Sequence, residues 1–182
     1  MSDRRPAIYF KATAHRVVGP HASIAIRQDS LITVPEANLA VVLGSAGSVM
    51  AFTVCNDVTA RDIARSGPEF LGQAKTYLGS CALGPCLVTP DEIEDPGALQ
   101  MRCSIIRSGE AIFSEAAGLA CPERSIERLV GWLCRNNPVP PGTVLSTGTG
   151  IPVPDSMALS DGDQVDIEVQ RIGRLSNPVR KT

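Results

Sequence analysis

Pro35-Glu36-Ala37-Asn38-Leu39-Ala40-Val41-Val42-Leu43-Gly44, followed by Asn56-Asp57-Val58-Thr59-Ala60-Arg61-Asp62, is the stretch on which the reading of this chain turns. Leu39 to Leu43 is an unbroken apolar run of strand length, which marks a strand buried on both faces. Ser45-Ala46-Gly47 reads as a turn, and Ser48 to Cys55 returns as a second strand rich in Val, Phe and Thr. Glu36 and Asn38 lie two apart, so on an extended chain they share a face. If the two strands pair as a hairpin, Glu36, Asn38 and Asp57 converge. Two carboxylates and an amide oxygen, completed by water, form a hard-oxygen set suited to Mg²⁺. The plain reading of the same residues is a solvated Glu at a strand start and an Asp at a helix N-terminus. Thr59 is expected to cap that short helix, running through Ala60, Arg61, Asp62 and Ile63.

Strands dominate outward from the hairpin. Ala7 to Lys11 and Ser23 to Arg27 read as strands, as do Thr143 to Thr147 and the alternating Gln164 to Gln170. Leu99 to Ile106 and Ala111 to Ala116 flank Arg107-Ser108-Gly109-Glu110, a hairpin signal. A single segment has strong helical period: Ile126, Leu129, Val130, Leu133 and Cys134. It predicts an amphipathic helix over about 125–136, capped by Ser125 and stopped by Pro138, Pro140 and Pro141. Consecutive βαβ units are missing, which argues against a doubly wound sheet. The expected class is mainly β (α+β), with 1–182 as one domain.

Composition removes several function classes. Lys and Arg total 17 against 19 Asp and Glu, a net charge of -2, so the basic excess of a nucleic-acid or anionic-membrane binder is lacking. Aromatics are 4% of the chain, too few for a base-stacking platform. The six cysteines form no C-x-x-C pair, and His15 and His21 are the only histidines, which argues against a zinc site of the usual type. Neither a signal peptide nor a membrane span fits the sequence, so the expectation is a cytoplasmic protein with reduced, mostly buried thiols.

Lys75, within Gln73-Ala74-Lys75-Thr76-Tyr77, offers a point charge for a substrate carboxylate; the bland alternative is a snorkelling surface lysine. Ser146-Thr147-Gly148-Thr149-Gly150 is a glycine-punctuated polar loop whose N–H groups and hydroxyls can receive an anion. No Gly-Lys-Ser/Thr follows it, so it is not a P-loop. His21 could serve as a base or be an ordinary loop histidine.

Taken in order, these pieces resemble the fumarylacetoacetate hydrolase family, from about Tyr9 to Val179. The resemblance is carried by the two opening motifs, Lys75, Leu83-Gly84-Pro85, Val88-Thr89-Pro90-Asp91-Glu92-Ile93, Ser146-Thr147-Gly148-Thr149, Asp161-Gly162-Asp163 and Asn177-Pro178-Val179. Gln73 to Pro85, Arg16 to Pro20 and Val139 to Leu145 look most like the branch containing 2-keto-3-deoxy sugar-acid dehydratases. The resemblance implies a mixed β-sandwich roll, usually a homodimer. It also implies an Mg²⁺ or Mn²⁺ site that chelates a 2-oxo-carboxylate and stabilises an enolate. Position by position, Glu36 and Asp57 match metal ligands, Lys75 a substrate-polarising lysine, and Thr149, with Thr147 and Gly148 in its loop, a substrate-carboxylate contact.

Two departures are visible. The family pattern is Glu-x-Glu, and Asn38 stands at the second position, removing one negative charge. Relatives also carry a leading segment that supplies a lid with a His–Glu pair; no stretch before Ala7 supplies one, leaving His21 as the stand-in. The leading expectation is an enzyme acting on a small 2-oxo acid or β-dicarbonyl compound, with dehydration or C–C cleavage as outcome. A second is a metal-independent cyclase, isomerase or lyase on the same fold. A third is a non-catalytic paralogue or dimer partner.

Overall fold

The computed structural model describes residues 5–120 and 125–182; Cys121 lies outside the described residues. In chain order the strands and helices are β1 (Val17–Val18), β2 (Ile24–Ile26), β3 (Thr33–Val34), β4 (Ala37–Leu43), β5 (Val49–Asp57), β6 (Thr59–Ala60), α1 (Arg61–Arg65), α2 (Leu71–Lys75), β7 (Cys81–Val88), β8 (Gln100–Arg107), β9 (Glu110–Gly118), α3 (Ile126–Leu133), β10 (Val144–Ser146), β11 (Gln164–Val169) and β12 (Gly173–Lys181). Two five-stranded sheets form, ordered β1-β7-β5-β4-β10 and β2-β12-β11-β8-β9, with β3 and β6 as a small separate pair. The pairs β1–β7 and β12–β2 are parallel and the rest antiparallel, so both large sheets are mixed. This is the mainly β, α+β class that the strand-rich sequence predicts, arranged as the mixed β-sandwich roll that the resemblance implies. β12 packs across β7 and β5, and the two sheets close on a shared apolar core.

The central hairpin explains why β4 is apolar from Leu39 to Leu43. Register pairs Asn38 with Cys55, Leu39 with Val54 and Val41 with Phe52. Side chains alternate between faces. Leu39, Val41, Leu43, Phe52, Val54 and, from β7, Ala82 enter the inter-sheet core. Ala40, Cys55 and Cys81 point the other way and form a smaller cluster with Ala12, Val17 and Leu83. Both faces of β4 are therefore covered, one by the opposite sheet and the other by the floor of a cavity.

The β8–β9 hairpin turns through Ser108 and Gly109, whose φ angles of 53° and 85° are the left-handed pair that suits strand twist. Helix α3 starts where Ser125 Oγ accepts the Arg128 N–H and runs eight residues. It ends at Cys134, short of the predicted 136, because Asn136 turns left-handed at φ 54° before the prolines are reached.

Two local expectations fail. Ala7 to Lys11 is not a strand, because no backbone among the described residues pairs with it; side chains hold it across the cavity instead. Thr59 does not cap α1: Ala60 holds the N-cap position without a side-chain bond, while Thr59 is buried in β6 with its hydroxyl on Glu36 Oε1 at 2.8 Å.

Candidate active site

The β4–β5 ladder sets the site. Its pairing continues past Ala37 and Asn56, where the Asp57 N–H donates to the Glu36 carbonyl at 2.9 Å. Asn38 and Asp57 are buried on one wall with Glu36 beside them. Asn38 Nδ2 donates to the Glu36 carbonyl at 2.8 Å, which turns Oδ1 away from that bond; Oδ1 is buried and has no hydrogen-bond partner among the described residues.

Lys75 ends α2 and is 5% exposed, which excludes the snorkelling reading. Its Nζ lies 2.8 Å from Glu36 Oε2 and 3.1 Å from Asp57 Oδ2. The structure thus brings Glu36, Asn38, Asp57 and Lys75 together.

Two further residues join them from the irregular segment 7–11. Tyr9 OH donates to Asp57 Oδ2 at 2.5 Å. Lys11 Nζ sits 2.7 Å from Asp57 Oδ1, while its hydrogen bonds go to the Val58 carbonyl at 2.8 Å and the Lys75 carbonyl at 2.5 Å. The contact with Oδ1 is therefore an ion pair rather than an aligned hydrogen bond. Spacing two apart in extended chain was the available signal for Tyr9 and Lys11; nothing local told which face they would meet.

Burial alone would raise the Asp57 carboxyl, but the Lys11 and Lys75 ammoniums and the Tyr9 hydroxyl outweigh it and hold the group below the usual carboxylate range. Burial, with Asp57 and Glu36 nearby, pushes the Tyr9 phenol up, so it stays protonated and acts as a donor. Burial also lowers Lys11 from its ordinary value, and Asp57 resists that shift. Two carboxylates thus face two ammonium groups, a local charge balance of zero when all four are ionised.

The cavity above this wall has a volume of about 1340 Å³. Tyr9, Lys11, Glu36, Asn38 and Asp57 line one side, and Leu129 and Leu133 of α3 line another. Thr147 and Gly148 lie on its rim, with Thr147 Oγ1 anchored on the Leu39 carbonyl at 2.9 Å. Thr149 is not on the lining; its Oγ1 receives the Ile151 N–H at 3.1 Å within the loop. His21 is exposed, outside the lining, and held left-handed at φ 64° by a turn whose N–H bonds the Ser176 carbonyl. The stand-in base expected there is not brought to the site. A second depression of about 420 Å³, by Ala46, Gly47, Cys134 and Pro138 to Pro140, contains none of these groups.

The hairpin-borne carboxylates, buried lysine and covering sheet define an enzyme-like core of known type. The chain matches fumarylacetoacetate (FAA) hydrolase C-terminal over residues 1–180 and belongs to that family. It is 44% identical over 177 residues to 2-dehydro-3-deoxy-D-arabinonate dehydratase of Saccharolobus solfataricus, covering 97% of this chain and 59% of the relative. It is 34% identical over 188 residues to a mitochondrial oxaloacetate tautomerase of Xenopus laevis, covering 94% of this chain and 57% of the relative. A solved 2-keto-3-deoxy-D-arabinonate dehydratase complexed with magnesium and 2,5-dioxopentanoate superposes with a TM-score of 0.96 at 44% identity, covering 98% of this chain and 63% of that one. The chain thus spans roughly three fifths of the length of these relatives.

Proposed function

We propose that this chain forms the core of a dehydratase that removes water from a small 2-oxo acid of the 2-keto-3-deoxy sugar-acid class, with Mg²⁺ as cofactor. The observation that carries the reading is the uncommitted, buried Asn38 Oδ1 beside the Glu36 and Asp57 carboxylates on the cavity wall. An amide oxygen without a partner costs on the order of 1–3 kcal/mol, a cost that a ligand would remove. The donor set is all hard oxygen and fits Mg²⁺ or Mn²⁺. Glu36, Asn38 and Asp57 would hold the ion, and when bound it supplies a Lewis acid for the 2-oxo-carboxylate oxygens.

The chain's own residues then have distinct tasks. Lys75 shares its ammonium hydrogens between Glu36 and Asp57 and presents a donor where negative charge develops on the substrate's keto oxygen. Tyr9 and Lys11 fix the Asp57 carboxylate from both oxygens. Thr147 and Gly148 offer polar contacts at the rim. Asn38 in place of an acid leaves the loaded site more cationic, which favours an anionic substrate. In the reaction, the carbon next to the keto group loses a proton and the next carbon loses its hydroxyl, giving water.

The test is release of a dioxo acid from 2-keto-3-deoxy-D-arabinonate by the Mg²⁺-loaded chain, abolished by chelation and restored by Mg²⁺ or Mn²⁺. No turnover by loaded, folded protein rejects the reading.

One observation favours a second reading. Lys11 and Lys75 already neutralise both carboxylates, so keto–enol chemistry can run on ammonium donors alone. Turnover that persists in chelator selects this metal-independent isomerase or lyase.

A further inference from the structure

Charge is unevenly placed around the cavity. The catalytic wall closes on itself, since Glu36 and Asp57 pair with Lys11 and Lys75. Among the described residues, the remaining charged side chains on the lining are Arg5 and Arg128, and both are cationic. Both belong to the α3 side. Arg128 and Trp132 stand four apart in that helix and so share a face. The Arg5 guanidinium lies over the Trp132 ring, 4.9 Å from its centroid. That cation–π contact ties a residue of the irregular leading segment to the helix. The lining residues next to this pair are apolar, Leu129 and Leu133 of the same helix.

Size adds to the argument. The cavity volume of about 1340 Å³ exceeds the roughly 300–1,000 Å³ of a small-molecule site. A short 2-oxo acid held at Glu36 and Asp57 therefore leaves the α3 side unfilled. Guanidinium groups match carboxylate and phosphate with two parallel hydrogen bonds, and they keep their charge at any working pH. Each carries five N–H donors, so other bonds made by Arg5 or Arg128 leave donors for a ligand.

We infer that Arg5 and Arg128 form a second anion subsite, and that the substrate is a 2-oxo acid with a second anionic group, carboxylate or phosphate, at the end remote from its keto acid. This rests on the reading that the keto acid sits at the Glu36–Asp57 wall. Within the 2-keto-3-deoxy sugar-acid class, the subsite selects a diacid or a phosphorylated acid over a monoacid with a neutral end. A neutral end would meet two cations beside an apolar surface and answer neither, so selection works against the wrong ligand as well as for the right one.

The test is calorimetry on the Mg²⁺-loaded chain at low ionic strength, where surface charges are least screened. One pair of ligands, 2-oxoadipate and 2-oxohexanoate, differs only in a carboxylate at the far end. A second pair, 2-keto-3-deoxy-6-phosphogluconate and 2-keto-3-deoxygluconate, asks the same of phosphate. In at least one pair the anionic-ended ligand should bind about 10- to 100-fold more tightly, and the pair that shows the gain identifies the anion. Arg5→Gln and Arg128→Gln should each cut that ratio by about 10-fold. Arg135→Gln should keep it, because Arg135 also lies over Trp132, at 4.2 Å, but is not on the lining. Ratios near one in both pairs overturn the inference and leave the reading of the catalytic wall standing. A ratio that survives in the Arg5→Gln/Arg128→Gln chain overturns it too. Failure of all four ligands to bind rejects the inference and that reading together. Both ratios are read on the unmodified chain, so they decide the matter even where a variant fails to fold.

Discussion

Tyr9 reaches 48 positions along the chain to place its hydroxyl 2.5 Å from Asp57 Oδ2. Asp57 is thereby held by a phenol on one oxygen and by Lys11 on the other. A segment without regular secondary structure is thus part of the site's electrostatics.

Tyr9→Phe removes one donor from a buried carboxylate. Its expected cost is about 1 kcal/mol of stability. If Asp57 ligates a metal, affinity for Mn²⁺ falls about 10-fold as the ligand loses its outer support. The sign with pH follows from the depressed Asp57 carboxyl: its stabilising contribution is present above the unfolded value near 3.9 and is lost as pH falls through the folded value. Without the Tyr9 hydroxyl the folded value lies higher, so the acid unfolding midpoint of Tyr9→Phe moves to higher pH. Coincident acid-unfolding curves for the two proteins would refute this.

Lys75→Met leaves Glu36 and Asp57 facing one another with Lys11 as the remaining cation. Breaking a buried pair of this kind costs about 3 kcal/mol. Added Mg²⁺ should raise the melting temperature of the variant more than that of the parent, since the ion replaces the missing charge. Equal shifts on adding Mg²⁺ would show that the carboxylates do not compete for cations.

Asn38→Asp restores a second acidic position and removes the donor to the Glu36 carbonyl. Cation affinity, read by Mn²⁺ paramagnetic resonance, should rise about 10-fold as a charge-bearing ligand is added. Stability without metal should fall by about 2 kcal/mol, the cost of a buried charge lacking a partner. Unchanged affinity would place the ion elsewhere.

His21→Asn tests the residue that the turn carries away from the cavity. Asparagine tolerates the left-handed backbone that position 21 requires. Turnover and its pH profile should match the parent's. A lost limb in the pH profile would return His21 to the chemistry.

Asp163→Asn acts far from the cavity. Asp163 is 1% exposed; Arg107 grips both its oxygens at 2.8 Å, and the Ser160 N–H adds a third bond at 2.7 Å. Loss of this bidentate pairing should cost about 2 kcal/mol in denaturant melts while leaving Mn²⁺ affinity unchanged. A change in Mn²⁺ affinity would show coupling between the second sheet and the site.

Glu36, Asn38 and Asp57 can be read together because they sit on one hairpin, whose register follows from a short turn and an apolar run; Lys75 joins them in the sequence only through the family resemblance, since nothing local ties it to that hairpin. The α3 helix was legible for a similar local reason, its 3.6-residue period. Tyr9 and Lys11 were hidden because their partners are set by tertiary placement and their local pattern mimics a strand. Thr59 departs from its expected role for a related cause: a threonine before a helix caps it by default, unless a nearby carboxylate, here the half-buried Glu36, offers a stronger acceptor. The β7 and β12 strands were also not read as such, since Gly84-Pro85 and Asn177-Pro178 interrupt them with residues that argue locally against a strand.

Both irregularities in the central sheet, between Val42 and Leu43 and between Phe52 and Val54, lie toward the hairpin turn and away from Asp57. From there to the cavity the odd–even alternation runs without interruption, so each position is assigned by parity alone. On β5, Cys55 and Asp57 belong to the pocket and Val54 to the core. A protein laid out this way can exchange its chemistry at one set of alternate positions while the interleaved set keeps its packing. Divergence of substrate and catalyst can then proceed by point replacement, with insertions confined to the turn, where a shift in phase is absorbed before it reaches the reacting groups.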